Sequence, residues 1–197
     1  GYRQAIGNAW STGGNLNTAR WNLGAAGTQT SSLAFGGASD GSAGTSTEKY
    51  NGSTWTAVAS LNTARQNAGG AGADNTAALV FAGNEPNLAI TENWNGSSWT
   101  EVADLNTARR QVGGVGTNTS ALAIGGGTPP QIANVESWNG SAWTEVGDLN
   151  TARENMGTSG ADNTSALAFG GSAPPSVAAT ELYNGTSWFT VNSLNTA

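Results

Sequence analysis

Apolar residues along this chain come in short runs closed by glycine or asparagine, and nowhere in a helical stripe. ALAIGGG at 121–127 and ALAFGG at 166–171 are compact runs of strand length. WTEV at 99–102 and 143–146 sets large apolar residues beside polar ones, as a half-buried strand does. Glycines at this density would each cost a helix about 1 kcal/mol. The pattern therefore predicts an all-β chain of many short strands.

The runs repeat. LNTA begins at Leu16, Leu61, Leu105, Leu149 and Leu194, in steps of 45, 44, 44 and 45 residues. Trp10, Trp55, Trp99, Trp143 and Trp188 keep the same steps. Each complete copy also carries one arginine (Arg20, Arg65, Arg109, Arg153) and one glutamate (Glu48, Glu92, Glu136, Glu181) in fixed register. A period of this length marks a repeat architecture. Residues 105–148 show its contents: RRQVGGVG, NTSALAIGGG, IANVESWNG and SAWTEVGD, four strand-like pieces. The last two meet at Asn139-Gly140, the pair best suited to a type I′ hairpin turn, and Asn51-Gly52, Asn95-Gly96 and Asn184-Gly185 are its equivalents. The same turns explain the four Asn-Gly-Ser/Thr sequences without invoking glycosylation.

A four-stranded antiparallel meander repeated every 44 residues or so reads as a propeller blade. Arginine after a turn, Gly-Gly closing the second strand (Gly36-Gly37, Gly125-Gly126, Gly170-Gly171), Glu-x-aromatic-Asn and then tryptophan together resemble the kelch repeat. The second copy departs with FAGN at 81–84. The resemblance spans residues 6–197 and implies a kelch-like β-propeller in a single domain over 1–197. Its four complete four-stranded blades are 16–60, 61–104, 105–148 and 149–193, with an extra N-terminal outer strand, a spare fourth strand, at 6–15. The LNTAR and WNGSSWTEV phrases are also similar to repeats in predicted proteins of marine tailed phages, which implies a virion-associated or extracellular setting. The small residues of QNAGGAGA, RQVGGVGT and ENMGTSGA suit a tight axis and favour a closed four-bladed ring. A monomer is the expected state, with a strand-exchanged oligomer as the second arrangement.

Composition narrows the chemistry. The chain has no His and no Cys, which excludes thiol nucleophiles, zinc fingers, His-based triads and the copper site of kelch-type oxidases. No cofactor or metal is expected, and no catalytic residue is assigned. Seven Lys and Arg, spread along a chain of net charge −6, argue against a nucleic-acid partner. No apolar run approaches the ~18 residues of a membrane-spanning helix, so no membrane partner is expected. GYRQAIGNAW lacks the pattern of a secretory leader.

The repeated tryptophans are expected to fill the gaps between blades. Each Arg is expected to pair with a Glu of its own or the adjacent blade, although four arginines around a ring could also grip an anionic ligand. The loops between second and third strands, 38–46, 84–90, 127–134 and 172–179, differ while the strands around them hardly do. Varying loops on a constant scaffold are where specificity usually resides. The expected ligand face combines them with the LNTAR turns: Arg20, Arg65, Arg109, Arg153, Asn17, Asn62, Asn106 and Asn150, plus Asp40, Glu85 and Trp21. Trp21 has no aromatic counterpart, since Gln66, Arg110 and Glu154 hold its slot. The function expected is a non-catalytic binding or structural propeller with a glycan or protein partner. Two alternatives stand beside it: a glycoside hydrolase using the loop carboxylates Asp40 and Glu85, and a purely architectural fibre module.

Overall fold

The computed structural model describes residues 12–84 and 86–196. The strand expected at 6–15 therefore lies outside the described residues up to residue 11, and residues 12–15 belong to no strand. Every strand is antiparallel to its neighbour, and sixteen strands form four sheets of four in chain order. The first sheet holds β1 (Gly24–Thr28), β2 (Ser31–Phe35), β3 (Thr47–Tyr50) and β4 (Trp55–Val58). The second holds β5 (Gly69–Asp74), β6 (Ala77–Phe81), β7 (Thr91–Trp94) and β8 (Trp99–Val102). The third holds β9 (Gly113–Gly116), β10 (Ala121–Ile124), β11 (Val135–Trp138) and β12 (Trp143–Glu145). The fourth holds β13 (Gly157–Asp162), β14 (Ser165–Phe169), β15 (Thr180–Tyr183) and β16 (Trp188–Val191). This is an all-β repeat architecture of the β-propeller kind, and no described helix is long and apolar enough to cross a membrane.

The Asn-Gly connections differ from the type I′ turn expected. Tyr50 pairs with Trp55 across four loop residues, and only the glycine (Gly52, φ 93°) takes a positive φ. The asparagine closes the loop with its side chain instead: Asn51 Oδ1 accepts the N–H groups of Ser53 and Thr54 at 3.0 and 2.9 Å. Asn95, Asn139 and Asn184 do the same in their hairpins. Asn is thus chosen here as an acceptor for turn N–H groups.

Each sheet has a forward face toward the next sheet and a rear face toward the previous one. Period-2 alternation along the strands separates the two. At the first junction, Leu33 and Phe35 meet Leu61, Ala78, Val80, Trp94 and Trp99 in one buried cluster. Phe35 meets Trp99 edge-on, ring centroids 5.3 Å apart, and Phe81 meets Trp143 likewise at 5.0 Å. At the third junction Ile124 shares a cluster with Trp188. Trp99, Trp143 and Trp188 fill the gaps between sheets, as expected, whereas Trp55 is half-buried and Trp10 lies outside the described residues. Their indole N–H groups reach back across the gap, Trp99 Nε1 to Thr47 Oγ1 and Trp143 Nε1 to Thr91 Oγ1, both at 3.0 Å. Val135 holds the equivalent place in the third sheet, and Trp188 Nε1 is buried without a partner.

The inner strands β1, β5, β9 and β13 gather about an axial space of about 240 Å³ lined by Ala25, Gly70, Gly114, Thr158 and their neighbours. A Cβ on Gly114 would run into the Gly70 backbone, so the small residues are required where sheets converge. Among the described residues no core cluster joins the fourth sheet to the first, so the closed ring that the small axial residues favoured is not shown. Three core clusters fill the three successive junctions. Between the fourth sheet and the first, by contrast, the equivalent side chains stand partly open. Phe169 and Leu167 are only half-buried where Phe35, Phe81, Leu33 and Leu79 are buried, and Trp55 and Tyr50 are half-buried where Trp99 and Trp94 are buried. Small axial residues permit close approach; they do not set the angle between sheets.

The orphan indole yields a stability test. Val135→Thr places an acceptor opposite Trp188 Nε1 at nearly constant volume and should raise stability by about 1 kcal/mol. Thr91→Val orphans Trp143 Nε1 and should cost about 1–2 kcal/mol. Urea unfolding of the two variants beside the parent measures both, and opposite signs are expected.

Candidate functional site

The repeated arginines and glutamates are brought together, but inside the protein. Each LNTAR turn enters its sheet over the third strand, and the glutamate of that strand receives it. Glu92 Oε2 accepts the backbone N–H and the side-chain amide of Asn62, both at 2.8 Å, and its Oε1 accepts Arg65 Nη2 at 2.6 Å. Glu48 holds Asn17 at 2.7 Å through both groups and Arg20 at 2.7 Å. Glu136 and Glu181 hold Asn106 and Asn150 at 2.7 Å, with Arg109 and Arg153 at 3.3 and 2.9 Å. Each asparagine also donates to the carbonyl of its sheet's outer tryptophan, as Asn62 does to Trp99 at 3.0 Å. All eight charged side chains are at most 3% exposed.

The arginines expected on the ligand face are therefore interior, each paired within its own repeat. Arg65 spends its remaining donors on the carbonyls of Thr63, Ala82 and Ile90. Arg109 is less well served: its Nε and Nη1 are buried without partners among the described residues. Burial pushes the pKa of Arg65, Arg109 and Arg153 down, and the paired glutamates oppose it. For Glu48, burial pushes the carboxyl up, but the Asn17 backbone and side-chain donors and the Arg20 charge outweigh it. Its pKa lies below the ordinary glutamate value of 4.5. Asn17, Asn62, Asn106 and Asn150 keep an exposed edge, though their amide nitrogens are committed to the cluster.

A second constellation lies two residues beyond each arginine. Asn22, Asn67, Gln111 and Asn155 all adopt the left-handed conformation, with φ between 53° and 56°. Asn tolerates this region better than most residues. The backbone bonds step from sheet to sheet there: Asn67 N–H to Asn22 O at 2.9 Å, Gln111 N–H to Asn67 O at 2.8 Å, and Asn155 N–H to Gln111 O at 3.2 Å. These four amide side chains, with Leu23, Ala68, Val112 and Met156 beneath, line an open depression of about 300 Å³ at the mouth of the axis.

Around this mouth the slot just after each arginine holds four unlike side chains: Trp21, Gln66, Arg110 and Glu154. Each is pinned by a short backbone bridge to the second-to-third-strand loop of its own sheet, through Ala38, Asn84, Gly127 and Ser172. The variable loops and the segments after LNTAR thus share one face. Trp21 is 51% exposed there. Gln131 Nε2 donates to Glu154 Oε1 at 3.3 Å, bringing a loop side chain to the rim. Asp40 is exposed in the first loop, where its Oδ1 accepts the Ser42 N–H at 3.1 Å, and Glu85 lies outside the described residues. No group of three or more acidic side chains that could hold a metal occurs among the described residues.

The amide ring was readable and went unread. WN, QN, RQ and EN after the repeated arginine place an amide in all four copies. Comparison of the chain with protein-family models and with curated proteins finds no match.

Two measurements probe the buried clusters. Arg65→Ala leaves Glu92 as an unpaired buried charge and should cost about 3–5 kcal/mol. Arg109→Ala should cost less, because Arg109 already lacks partners for two of its nitrogens; thermal or urea unfolding ranks the pair. The second is pH dependence. A carboxyl with a depressed folded pKa contributes stability that is full above its unfolded value and is lost as pH falls through the folded one. The urea midpoint should therefore decline below about pH 4.5, the ordinary value for Glu48, and Glu48→Gln should flatten that decline.

Proposed function

We propose that this chain is a non-catalytic binding module of kelch-like propeller type, working on a virion or outside a cell, and that its ligand is a glycan. The observation that carries this reading is the axial depression: four amide side chains in equivalent positions, with the unlike side chains Trp21, Arg110 and Glu154 beside them and Gln66 buried below. The scaffold beneath is nearly uniform, so chemical variety concentrates at this rim, as expected of a recognition surface on a rigid frame. Amides donate and accept together, which suits hydroxyl groups. Asn155 has no hydrogen bond from its side chain among the described residues, and the others retain free atoms. Trp21 offers a flat, half-exposed ring beside them, apolar on its face and polar at its edge. The arginines are taken up by their glutamates and play no part in this binding surface.

Glycan-array screening followed by calorimetry tests the reading. An oligosaccharide should bind the parent, and Trp21→Ala and Asn155→Ala should each weaken it about tenfold or more, the loss expected for a central contact worth more than 1 kcal/mol. Trp21→Ala should change unfolding little; Asn155→Ala, at a left-handed φ, should cost about 1 kcal/mol, so binding is compared where circular dichroism shows both variants folded. If no glycan binds, or if both variants bind like the parent, the proposal fails and the architectural fibre module is the better reading.

A further inference from the structure

The two ends of the row of sheets carry the two halves of the junction that is made three times inside it. We infer that the forward face of the fourth sheet docks onto the rear face of the first sheet of a second copy of this chain, head to tail. Backbone groups that find partners across all three internal junctions, and an indole N–H that finds one across two of them, have none at the two ends among the described residues.

In each internal junction an aromatic or branched side chain of the second strand lies against the next sheet's tryptophan. Phe169 waits in that place on the fourth sheet, and Trp55 is the half-buried tryptophan on the first. The threonine that accepts the indole N–H is present as Thr180, paired with Phe169 in register. Trp55 Nε1 has no hydrogen bond among the described residues, in contrast to Trp99 and Trp143. Gly37, Gly83 and Gly126 each donate their N–H to the carbonyl of the next sheet's arginine, at 2.9 Å. Gly171 holds the same position in the fourth sheet, and the matching carbonyl on a partner is that of Arg20. At the axis, Asn22 N–H lacks the bond that Asn67, Gln111 and Asn155 each make to the preceding sheet, and Asn155 O is the free acceptor of the series. Asn75 and Asn163 bind the third strand of the sheet before them through their side chains, and Gln29 keeps an amide in that slot on the first sheet.

One departure from the repeat points the same way. Leu167 lies in register with Leu182 and Phe189 across the fourth sheet. The equivalents of that outer pair are Lys49 and Thr56, Asn93 and Thr100, and Ser137 and Thr144. Only the last sheet is apolar there, with Leu182 41% and Phe189 48% exposed. Sheet faces of repeat proteins that meet water are polar. This one has the opposite character, as a surface destined for burial does.

Leu194 stands partly in the way. Its N–H bonds to Ala178 O at 2.9 Å, the bond by which Leu61, Leu105 and Leu149 seat themselves on the preceding sheet, and a partner's Leu16 would need that seat. Leu194 is 46% exposed where those three are 4% exposed, so it is weakly seated and displaceable. A head-to-tail contact of this kind gives a closed ring if the rotation closes and a filament if it does not.

Sedimentation of the full chain over a range of concentrations tests this. Masses at multiples of 19.7 kDa are expected, and a monomer at every concentration overturns the inference. Phe169→Glu and Trp55→Glu should each be monomeric alone, with association weakened about 30-fold or more. Mixed together they should give a one-to-one dimer, because each supplies the face that the other lacks. A mixture that stays monomeric while circular dichroism shows both variants folded overturns the head-to-tail arrangement. So does a Phe169→Glu chain that assembles like the parent, which would indicate exchange of the segment before residue 12. Removal of residues 194–197 should shift assembly to lower concentration; a shift to higher concentration overturns the displacement of Leu194.

Discussion

The structure hangs on a carboxylate buried beneath a turn. In every repeat, one glutamate of the third strand gathers the backbone and side chain of the LNTAR asparagine and the guanidinium of its arginine. In the second, third and fourth repeats the leucine before that asparagine (Leu61, Leu105 or Leu149) lies across the junction, seated on the previous sheet. Each turn is therefore held at both ends, by apolar contact behind and by charge ahead. This fixes where one sheet stops and the next begins. A polar cluster so enclosed is costly to desolvate, and its net contribution to stability is smaller than its bond count suggests. Its value here lies in register: apolar contact alone would tolerate a slipped turn, whereas a buried glutamate accepts donors only at set positions.

From this joint follows the division of the molecule into constant and varied parts. The arginine closes the joint, so the chain direction beyond it is set, and the next two residues arrive at the axial mouth in every repeat. The second of these must take a left-handed φ, which three asparagines suit; Gln111 is a less natural occupant, and nothing in its surroundings explains the choice. The first is free of that constraint, and its backbone is bridged to the loop of its own sheet. A slot defined by its backbone accepts unlike side chains, exposed as Trp21 is or buried as Gln66 is. That accounts for Trp21, Gln66, Arg110 and Glu154 sharing one slot.

Most of the fold was legible because the repeat prints it five times over. Strand positions and hairpin order follow from the shared register of tryptophan, glutamate and Asn-Gly. The constant offset of Arg and Glu also pointed to pairing, and Arg65–Glu92 at 2.6 Å is such a pair. The same constancy misled when it placed arginines on a binding face, since a motif shows which residues recur and not which way they point. The hairpin type was misjudged because Asn-Gly serves two turns: a two-residue loop with both residues left-handed, and the four-residue loop found here, where Asn accepts N–H groups. Closure was illegible for a deeper reason. The angle between neighbouring sheets is the sum of many packing contacts such as Phe35 on Trp99, and no single residue type encodes it.

A repeat protein whose sheets are copies of one another has ends that match by construction. Whatever one junction needs on its forward side is present on the last sheet, and whatever it needs on its rear side is present on the first. Among the described residues both faces stand partly open, and such faces are either blunted or used. Blunting would appear as charge or polarity at the terminal faces. The last sheet instead replaces polar residues with Leu182 and Phe189 on the face that nothing covers. Selection for solubility alone runs against that exchange. Apolar substitution confined to the one open forward face makes sense when the face has a regular occupant, and the surface of this molecule that fits it is its own first sheet.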